Sequence, residues 1–479
     1  MAIILIAFLT VLIADAKSVV PKSVVKQGET RGFNLMISEE DSIYEIRSDL
    51  NLEGKTIKLP QGCTLRFKGG KLRNGALVGD ETKIEARRNT IFDTTIILNG
   101  SWNVKKAYPE WFGARGDGVS DDTDAIQKAI KFFSIIEFND HYLISNKIML
   151  SSDKCLTGKR KSIIEIVQSQ KINYVLQAPY GGSYENISIK GIKFVGHCSS
   201  ETDAETGLCA LELVNVSDVS VCDCSFVGFN KNIEITNCSN AVIDNNVIQD
   251  ATETKQKING YGILIEEGCS ISITRNKMCN IERHGIYLNG SNDAVVRYNY
   301  IEGQINDLSR YSHWEGNIKI NGVRNVEIRS NTLIGNYYGI AIMSSFRKRG
   351  FCADNVLIAN NTIKDCIRNP GFGFGAITFP EGGLLKDITI IDNTIENSIG
   401  EEKCCLRGIC IEQYASTGVD YCFRNVKASR NKVKGHPTRV RIALKKVFLF
   451  DGKRMEGKYE TKISSKENIT NNFILNDFQ

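Results

Sequence analysis

AVIDNNVI at 241–248, ISITRNKM at 271–278 and AVVRYNYI at 294–301 share one pattern, apolar-x-apolar-x-x-Asn-x-apolar. It returns as VEIRSNTL at 326–333, VLIANNTI at 356–363, ITIIDNTI at 388–395 and VKASRNKV at 426–433. The marker asparagines are Asn246, Asn276, Asn299, Asn331, Asn361, Asn393 and Asn431. Two earlier copies, at 187–194 and 219–226, carry Ile192 and Cys224 at the marker, and a late copy carries Asn472. Successive markers lie 32, 22, 30, 23, 32, 30, 32, 38 and 41 residues apart. A shortest period of 22–23 with alternating apolar residues is that of a solenoid coil built from short strands. Alternate residues then point into a stacked core. The marker Asn falls between two strands, where it can hold a left-handed or bent backbone and bond to its neighbours in a ladder. Longer coils bulge out as loops. A leucine-rich repeat needs recurrent Leu and a helical half, and a propeller needs a period of about 40; neither fits.

Upstream, DDTDAIQKAIKFF predicts a helix over 121–133, with Asp121 or Asp122 as N-cap and an apolar face of Ala125, Ile126, Ala129, Ile130 and Phe133. Such a helix suits the end of a solenoid, which otherwise exposes core and strand edges. Residues 43–100 carry short strand signals with Gly-rich turns and read as a small β region. The expected organisation is 1–16 leader, 17–104 small β region, and 105–479 solenoid with its capping helix.

The stretch WFGARGDGVSDDTDAIQKAI (111–130) resembles the N-terminal signature of the pectate-lyase-like superfamily, including rhamnogalacturonase/epimerase-type domains. With the coils, the resemblance covers about residues 105–475. It implies an all-β fold, a right-handed parallel β-helix of about ten or more coils with an N-terminal capping helix, acting mostly on polysaccharides. The superfamily holds hydrolases, lyases, epimerases and phage tailspikes, so the resemblance leaves the reaction open. Asp117, Asp121 and Asp122 within the signature are read as turn and cap residues. The sequence departs from the polygalacturonase branch: its only Asp-Asp is Asp121-Asp122, and Arg283-His284-Gly285 is a faint echo of Gly-His-Gly. No acidic cluster of the calcium pectate lyases is present, so no metal or cofactor is expected.

The 479 residues are 42% hydrophobic and 24% charged, an ordinary globular composition, with a net charge of +5 that implies no nucleic-acid partner. Gly (41) far exceeds Pro (7), which favours turns over Pro-rich linkers. The apolar run IILIAFLTVLI at 3–13, followed by Ala14-Asp15-Ala16, reads as a signal peptide. It is too short to span a bilayer. The expectation is an exported protein, periplasmic, cell-surface or extracellular, without stable membrane insertion. Fifteen cysteines without metal spacing read chiefly as buried small apolar side chains. The oligomeric state is not legible.

A second strand precedes each marker strand: YGILIE (261–266), HGIYLN (284–289), GNIKIN (316–321), YGIAIM (338–343) and RGICIE (407–412), with GAITFPE (375–381) between the last two. Its inward positions are apolar. Its outward columns are Tyr261, His284, Gly316, Tyr338 and Arg407; then Leu264, Tyr287, Lys319, Ala341 and Cys410; then Glu266, Asn289, Asn321, Met343 and Glu412. Aromatic faces and hydrogen-bonding groups in a row suit a sugar chain. Glu266 and Glu412, five coils apart, are ~24 Å from each other and cannot form a hydrolytic pair. Glu266 with Glu315 is the nearest carboxylate alternative, with Glu267 and Asp307 weaker. Elimination at a uronate needs a base, an acid and a cation for the carboxylate. His284, Lys319 and Tyr338 fit those roles, with Arg283 or Arg407 holding carboxylates. Trp314, beside His313 and Glu315, is a candidate stacking platform. Candidate catalytic residues are therefore His284, Glu266, Lys319, Glu315 and Tyr338. Candidate substrate contacts are Tyr261, Tyr287, Asn289, Trp314, Asn321, Arg407 and Glu412. The expected function is an exported enzyme cleaving a polysaccharide by hydrolysis or β-elimination. The rivals are a non-catalytic glycan-binding or adhesion solenoid and a tailspike-like depolymerase.

Overall fold

A computed structural model describes residues 24–26, 37–159, 161–167, 173–198, 207–254, 259–304, 315–343, 352–368, 375–379, 383–400, 402–405, 407–412, 421–436, 438–444, 459–464 and 473–475. The expected leader, His313, Trp314, Asp307 and Asn472 lie outside these residues. The chain divides into two units, Met1–Ala114 and Arg115–Gln479. In the first, Ile43–Ile46 pairs in parallel with Thr64–Phe67, and Gly75–Glu85 pairs in parallel with Thr64–Phe67, Thr56–Lys58 and Ile96–Trp102. The registers (Ile43 with Thr64, Thr64 with Lys83) step by about one short coil. The small β region is thus itself parallel-stacked, around buried Tyr44, Phe67, Phe92 and Trp111.

In the second unit, helix α1 spans Thr123–Phe132 and buries Ala125, Ile126, Ala129 and Ile130. Gln127 fixes it to the first strands, accepting from Met149 N (2.7 Å) and donating to Met149 O (3.1 Å). The aspartates around it serve the main chain. Asp122 accepts from the N–H groups of Arg115 and Gly116, Asp121 from that of Thr123, and Asp117 from those of Val119 and Ser120. The Ser120 and Val119 bonds hold the Asp117 carboxyl at about 2.

The coils follow in parallel register. Each contributes a strand of the kind Tyr261–Glu266, a second of the kind Cys269–Thr274 and a third of the kind Lys277–Ile281. The third strands stack into their own 12-stranded sheet. Ile263, Ile265, Ile286, Leu288, Ile318 and Ile320 are fully buried. Each such side chain stabilises the fold by about 1.5–3 kcal/mol. The parallel order ends with Thr438–Leu444. The next strand, Tyr459–Ser464, pairs with it antiparallel, and Phe473–Leu475 runs antiparallel to Val426–Ala428. Of the late copy of the repeat only its last residues, within Phe473–Leu475, are described, and that strand does not continue the parallel order.

The marker asparagines form a buried ladder. Asn246 Nδ2 donates to Asn276 Oδ1 (2.9 Å), Asn276 to Asn299 (3.0 Å), Asn299 to Asn331 (3.0 Å), Asn331 to Asn361 (2.9 Å), Asn361 to Asn393 (3.0 Å) and Asn393 to Asn431 (2.9 Å). Each Oδ1 also accepts the main-chain N–H of the preceding marker, as Asn331 Oδ1 does from Asn299 N (2.9 Å). The left-handed residue is not the marker itself but the one before it: Asn245, Arg275, Tyr298, Ser330, Asn360, Asp392 and Arg430 all have φ between 54° and 59°. That residue turns the chain so the marker amide faces inward. Of fourteen described cysteines, eight are buried, among them Cys63, Cys209, Cys224 and Cys238.

Candidate functional site

Eight parallel strands carry the outward face: β1 (Tyr174–Ala178), β2 (Cys209–Cys222), β3 (Lys231–Asp244), β4 (Tyr261–Glu266), β5 (His284–Asn289), β6 (Gly316–Asn321), β7 (Ile340–Met343) and β8 (Gly375–Phe379). Strict alternation from Ile286 and Leu288 would put His284 inside. The second residue of the strand prevents this. A Cβ on Gly262 would lie 3.0 Å from the sulfur of Met278, one on Gly339 2.5 Å from Ile363, and one on Gly285 would overlap Ile301; all three neighbours are core residues. The glycine and the residue after it thus both face inward, and the residue before it turns out. Glycine is required there because any side chain would meet the core.

The rings of Tyr261, His284, Tyr287 and Tyr338 consequently gather. His284 lies 5.6 Å from Tyr261, 5.4 Å from Tyr287 and 6.4 Å from Tyr338, centroid to centroid. The contact with Tyr338 spans two coils and exists because the intervening residue is Gly316, whose Cβ would fall within the Tyr338 ring. Two cations lie on ring faces: the Arg283 guanidinium is 5.5 Å from the Tyr261 centroid, and Lys319 Nζ is 4.9 Å from that of Tyr287. His284 (1% exposed) and Tyr338 (0%) are closed off from solvent, while Tyr261 and Tyr287 are half-buried.

The electrostatics set protonation states. Burial, then the charges of Lys319 and Arg283, push the His284 imidazolium well below its ordinary range, so the ring is neutral. Its Nδ1 lies 3.3 Å from Gly316 O, which can only accept, so Nδ1 carries the proton and Nε2 the lone pair. Burial, then Glu315 and Tyr287, push the Tyr338 phenol well above its ordinary range, so it stays protonated. These shifts predict a stability plateau. The depressed His284 value stabilises the fold above about pH 6.5 and that stability is lost as pH falls through the folded value; the raised Tyr338 value stabilises it below about pH 10 and is lost as pH rises through the folded value. Urea midpoints measured across pH should fall on both flanks. His284→Gln should flatten the acid flank alone.

Gly316→Ala should displace the Tyr338 ring and cost about 1–3 kcal/mol. The changed Tyr338 environment is checked by tyrosine difference absorbance, with the urea midpoint giving the cost.

The other expected site residues divide. Asn289 Nδ2 donates to Glu266 Oε1 (3.0 Å) and Asn321 Nδ2 to Asn289 Oδ1 (3.1 Å), so these three form a second ladder. Glu315 does not reach Glu266. It precedes Gly316 at the opposite end of the strand, ~20 Å along the chain direction and two coils away. That exceeds any hydrolytic carboxylate spacing, which corrects the pairing suggested by sequence. Glu267 sits at the bend with φ 54°. Arg407 pairs in register with Gly375, four coils beyond His284, ~19 Å away. Glu412 pairs through its main chain with Ala443, and its side chain lies outside the described residues. Among the described residues no group of side chains fits a metal ion.

The sequence reading missed that the same columns extend toward the N-terminus. Gln177, Glu212 and Glu234 stand in register with Leu264 and Tyr287. Glu212 accepts from Gln177 Nε2 (2.5 Å), Glu234 pairs with Lys231, and Lys147 Nζ bonds Gln177 Oε1 (2.9 Å). The signal was present as ALELVN (210–215) and NIEITN (232–237), which share the apolar alternation of GILIEE (262–267).

A family model described as a right handed beta helix region matches residues 186–440, more than half the chain. The chain belongs to the right-handed β-helix family. It is 26% identical over 223 residues to mannuronan C5-epimerase AlgE6 of Azotobacter vinelandii, covering 41% of this chain and 24% of that protein, so it spans about a quarter of that relative's length. Among solved structures, the surface adhesin PfbA of Streptococcus pneumoniae aligns at TM-score 0.48 and 14% identity, covering 75% of this chain and 100% of that one. A hyperthermoactive exopolygalacturonase from Thermotoga maritima aligns at TM-score 0.45 and 14% identity, covering 75% and 95%. No helix among the described residues is long and apolar enough to cross a membrane.

Proposed function

We propose that this β-helix is an exported enzyme that acts on a uronate-containing polysaccharide by removing the C5 proton. The observation that carries this reading is the neutral His284 ring held against protonated Tyr338, with Arg283 and Lys319 beside it. A C5 proton next to a carboxylate becomes removable when a cation takes up the charge developing on the carboxylate. Arg283 and Lys319 supply that charge. His284 Nε2 accepts the C5 proton, and the Tyr338 phenol donates a proton on the other side of the reaction. Donation to the departing O4 completes a β-elimination; donation back to C5 from the opposite face completes an epimerisation, the activity named for the AlgE6 relative. Hydrolysis has less support, because Glu266 and Glu315 stand too far apart. A glycan-binding role without turnover is the second reading, favoured by the closure of His284 and Tyr338 from solvent.

Incubation with a panel of uronate polymers tests the proposal. Alkene absorbance or a changed C5 configuration supports it. Bound polymer with neither change selects the binding role.

A further inference from the structure

Just past the third strands Thr362–Lys364 and Thr394–Glu396, the chain makes a contact that runs against the parallel order. Ile367 bridges Cys404 in antiparallel sense. Arg368 N donates to Lys403 O and Cys405 N to Cys366 O, both at 2.7 Å. Cys366 therefore stands directly opposite Cys405. Residues opposite each other in an antiparallel pair point to the same face, with Cα atoms ~4.5–5.5 Å apart. A disulfide spans Cα separations of about 4.4–6.8 Å. In the strand registers of the described residues no other cysteine faces a cysteine: Cys209 stands opposite Tyr174 and Lys231, and Cys410 opposite Thr378 and Arg441.

Both side chains are sealed in, Cys366 at 1% exposure and Cys405 at 0%. The Cys366 thiol lies within hydrogen-bond reach of the Cys405 sulfur. Burial, then that contact, pushes the Cys405 thiol well above its ordinary range. The Cys405 sulfur otherwise reaches only a main-chain oxygen, Arg407 O (3.3 Å), and the His436 ring, with Nδ1 3.6 Å away. The main chain on either side is pinned. Ile367 N donates to Asn336 O (2.7 Å). His436 Nδ1, facing a carbonyl oxygen that can only accept, donates to Cys405 O (2.9 Å). The two sulfurs are thus neighbours with little freedom to separate.

We propose that Cys366 and Cys405 form a disulfide that staples one coil to the next near the end of the parallel order. The bond forms by exchange with a small disulfide such as oxidised glutathione, which an exported chain meets. One cysteine thiolate attacks the glutathione disulfide and releases one glutathione. The other cysteine thiolate attacks the mixed disulfide and releases the second. Two cysteine thiols are oxidised, one glutathione disulfide is reduced, and the two protons pass to the departing glutathione thiolates. Attack needs a thiolate, which the folded core suppresses, so the exchange belongs to folding and the finished bond is shielded from reductant. The bond closes the chain from 366 to 405, a whole coil, and so restricts the unfolded state. The inference stands apart from the C5 chemistry.

The full chain, unfolded in urea with dithiothreitol, is refolded with reduced and oxidised glutathione. Remaining thiols are blocked with N-ethylmaleimide in urea, and the protein is cut with trypsin without reductant. Cleavage after Lys364, Arg368, Lys403 and Arg407 yields DCIR (365–368) and CCLR (404–407). Mass spectrometry should find these two peptides joined. Cys404→Ser should keep the link and Cys405→Ser should abolish it. Dithiothreitol should lower the urea midpoint of the wild type and leave that of Cys366→Ala unchanged. If the variants do not fold, the wild-type peptide map still decides. Cys366 and Cys405 each found blocked, or a link from Cys366 to Cys404 or to any other cysteine, overturns the inference.

Discussion

Asn331→Ala lowers the unfolding free energy by about 2–6 kcal/mol. The substitution leaves Asn299 N–H and Val296 O without the bonds that the Asn331 side chain makes to them at 2.9 and 3.0 Å. Both groups are sealed in the core, and each orphaned group costs about 1–3 kcal/mol. Asn431 is the contrast. It ends the marker ladder, retains 8% exposure, and lies where water can replace its amide, so Asn431→Ala has the smaller effect. Because coils stabilise their neighbours, a break at the middle of the ladder also uncouples the coils on either side. Urea unfolding checks both points: Asn331→Ala shifts the midpoint strongly and broadens the transition. Equal, small shifts for the two variants would show that the ladder merely accompanies the stacking of the aliphatic core.

His284→Ala removes turnover by about 10²–10⁴-fold while retaining polysaccharide binding. The loss is in kcat, because in the proposed reading the half-buried Tyr261 and Tyr287, whose rings lie 5.6 and 5.4 Å from that of His284, take the sugar contacts while His284 takes the proton. The pH profile separates catalysis from support. Wild-type activity persists below about pH 6.5, where an ordinary histidine would protonate, because burial and two cations keep this ring neutral. Lys319→Met removes one of those cations. It moves the acid limb upward toward the ordinary histidine value, and it weakens binding of the carboxylate. Kinetics at several pH values on both variants check this. A variant at His284 with unchanged kcat would transfer the chemistry elsewhere.

The architecture was legible because the strongest periodic signal, an Asn every coil, reports a physical necessity: a turn whose amide must bond to its own image above and below. The left-handed residue ahead of it was not legible, since Arg275, Tyr298, Ser330 and Asp392 share no side-chain chemistry. Their conformation is imposed by the ladder against their own preference. The first unit hid its parallel stacking for a related reason. Its turns use scattered glycines, such as Gly54 and Gly62, and no repeated amide. The outward columns were readable because every coil pairs in the same register, which placed Tyr261, His284 and Gly316 in one row and Tyr287 and Lys319 in another. Glu212 and Glu234 escaped because their strands begin with Cys209 and Lys231 and lack the glycine that marks β4 and β5. The proposed Glu266–Glu315 pair failed on a dimension that coil counting ignores, the distance along the strand.

The C5 hydrogen of the substrate is the most direct witness of the central claim. A uronate heteropolymer incubated with the protein in D₂O is followed by proton NMR, with reducing ends counted in parallel. The account predicts that the C5–H signal disappears, either into an alkene or by exchange with deuterium, and that it persists with His284→Ala. New reducing ends with every C5–H signal intact would mean hydrolysis, and would contradict the assignment of His284 as the base.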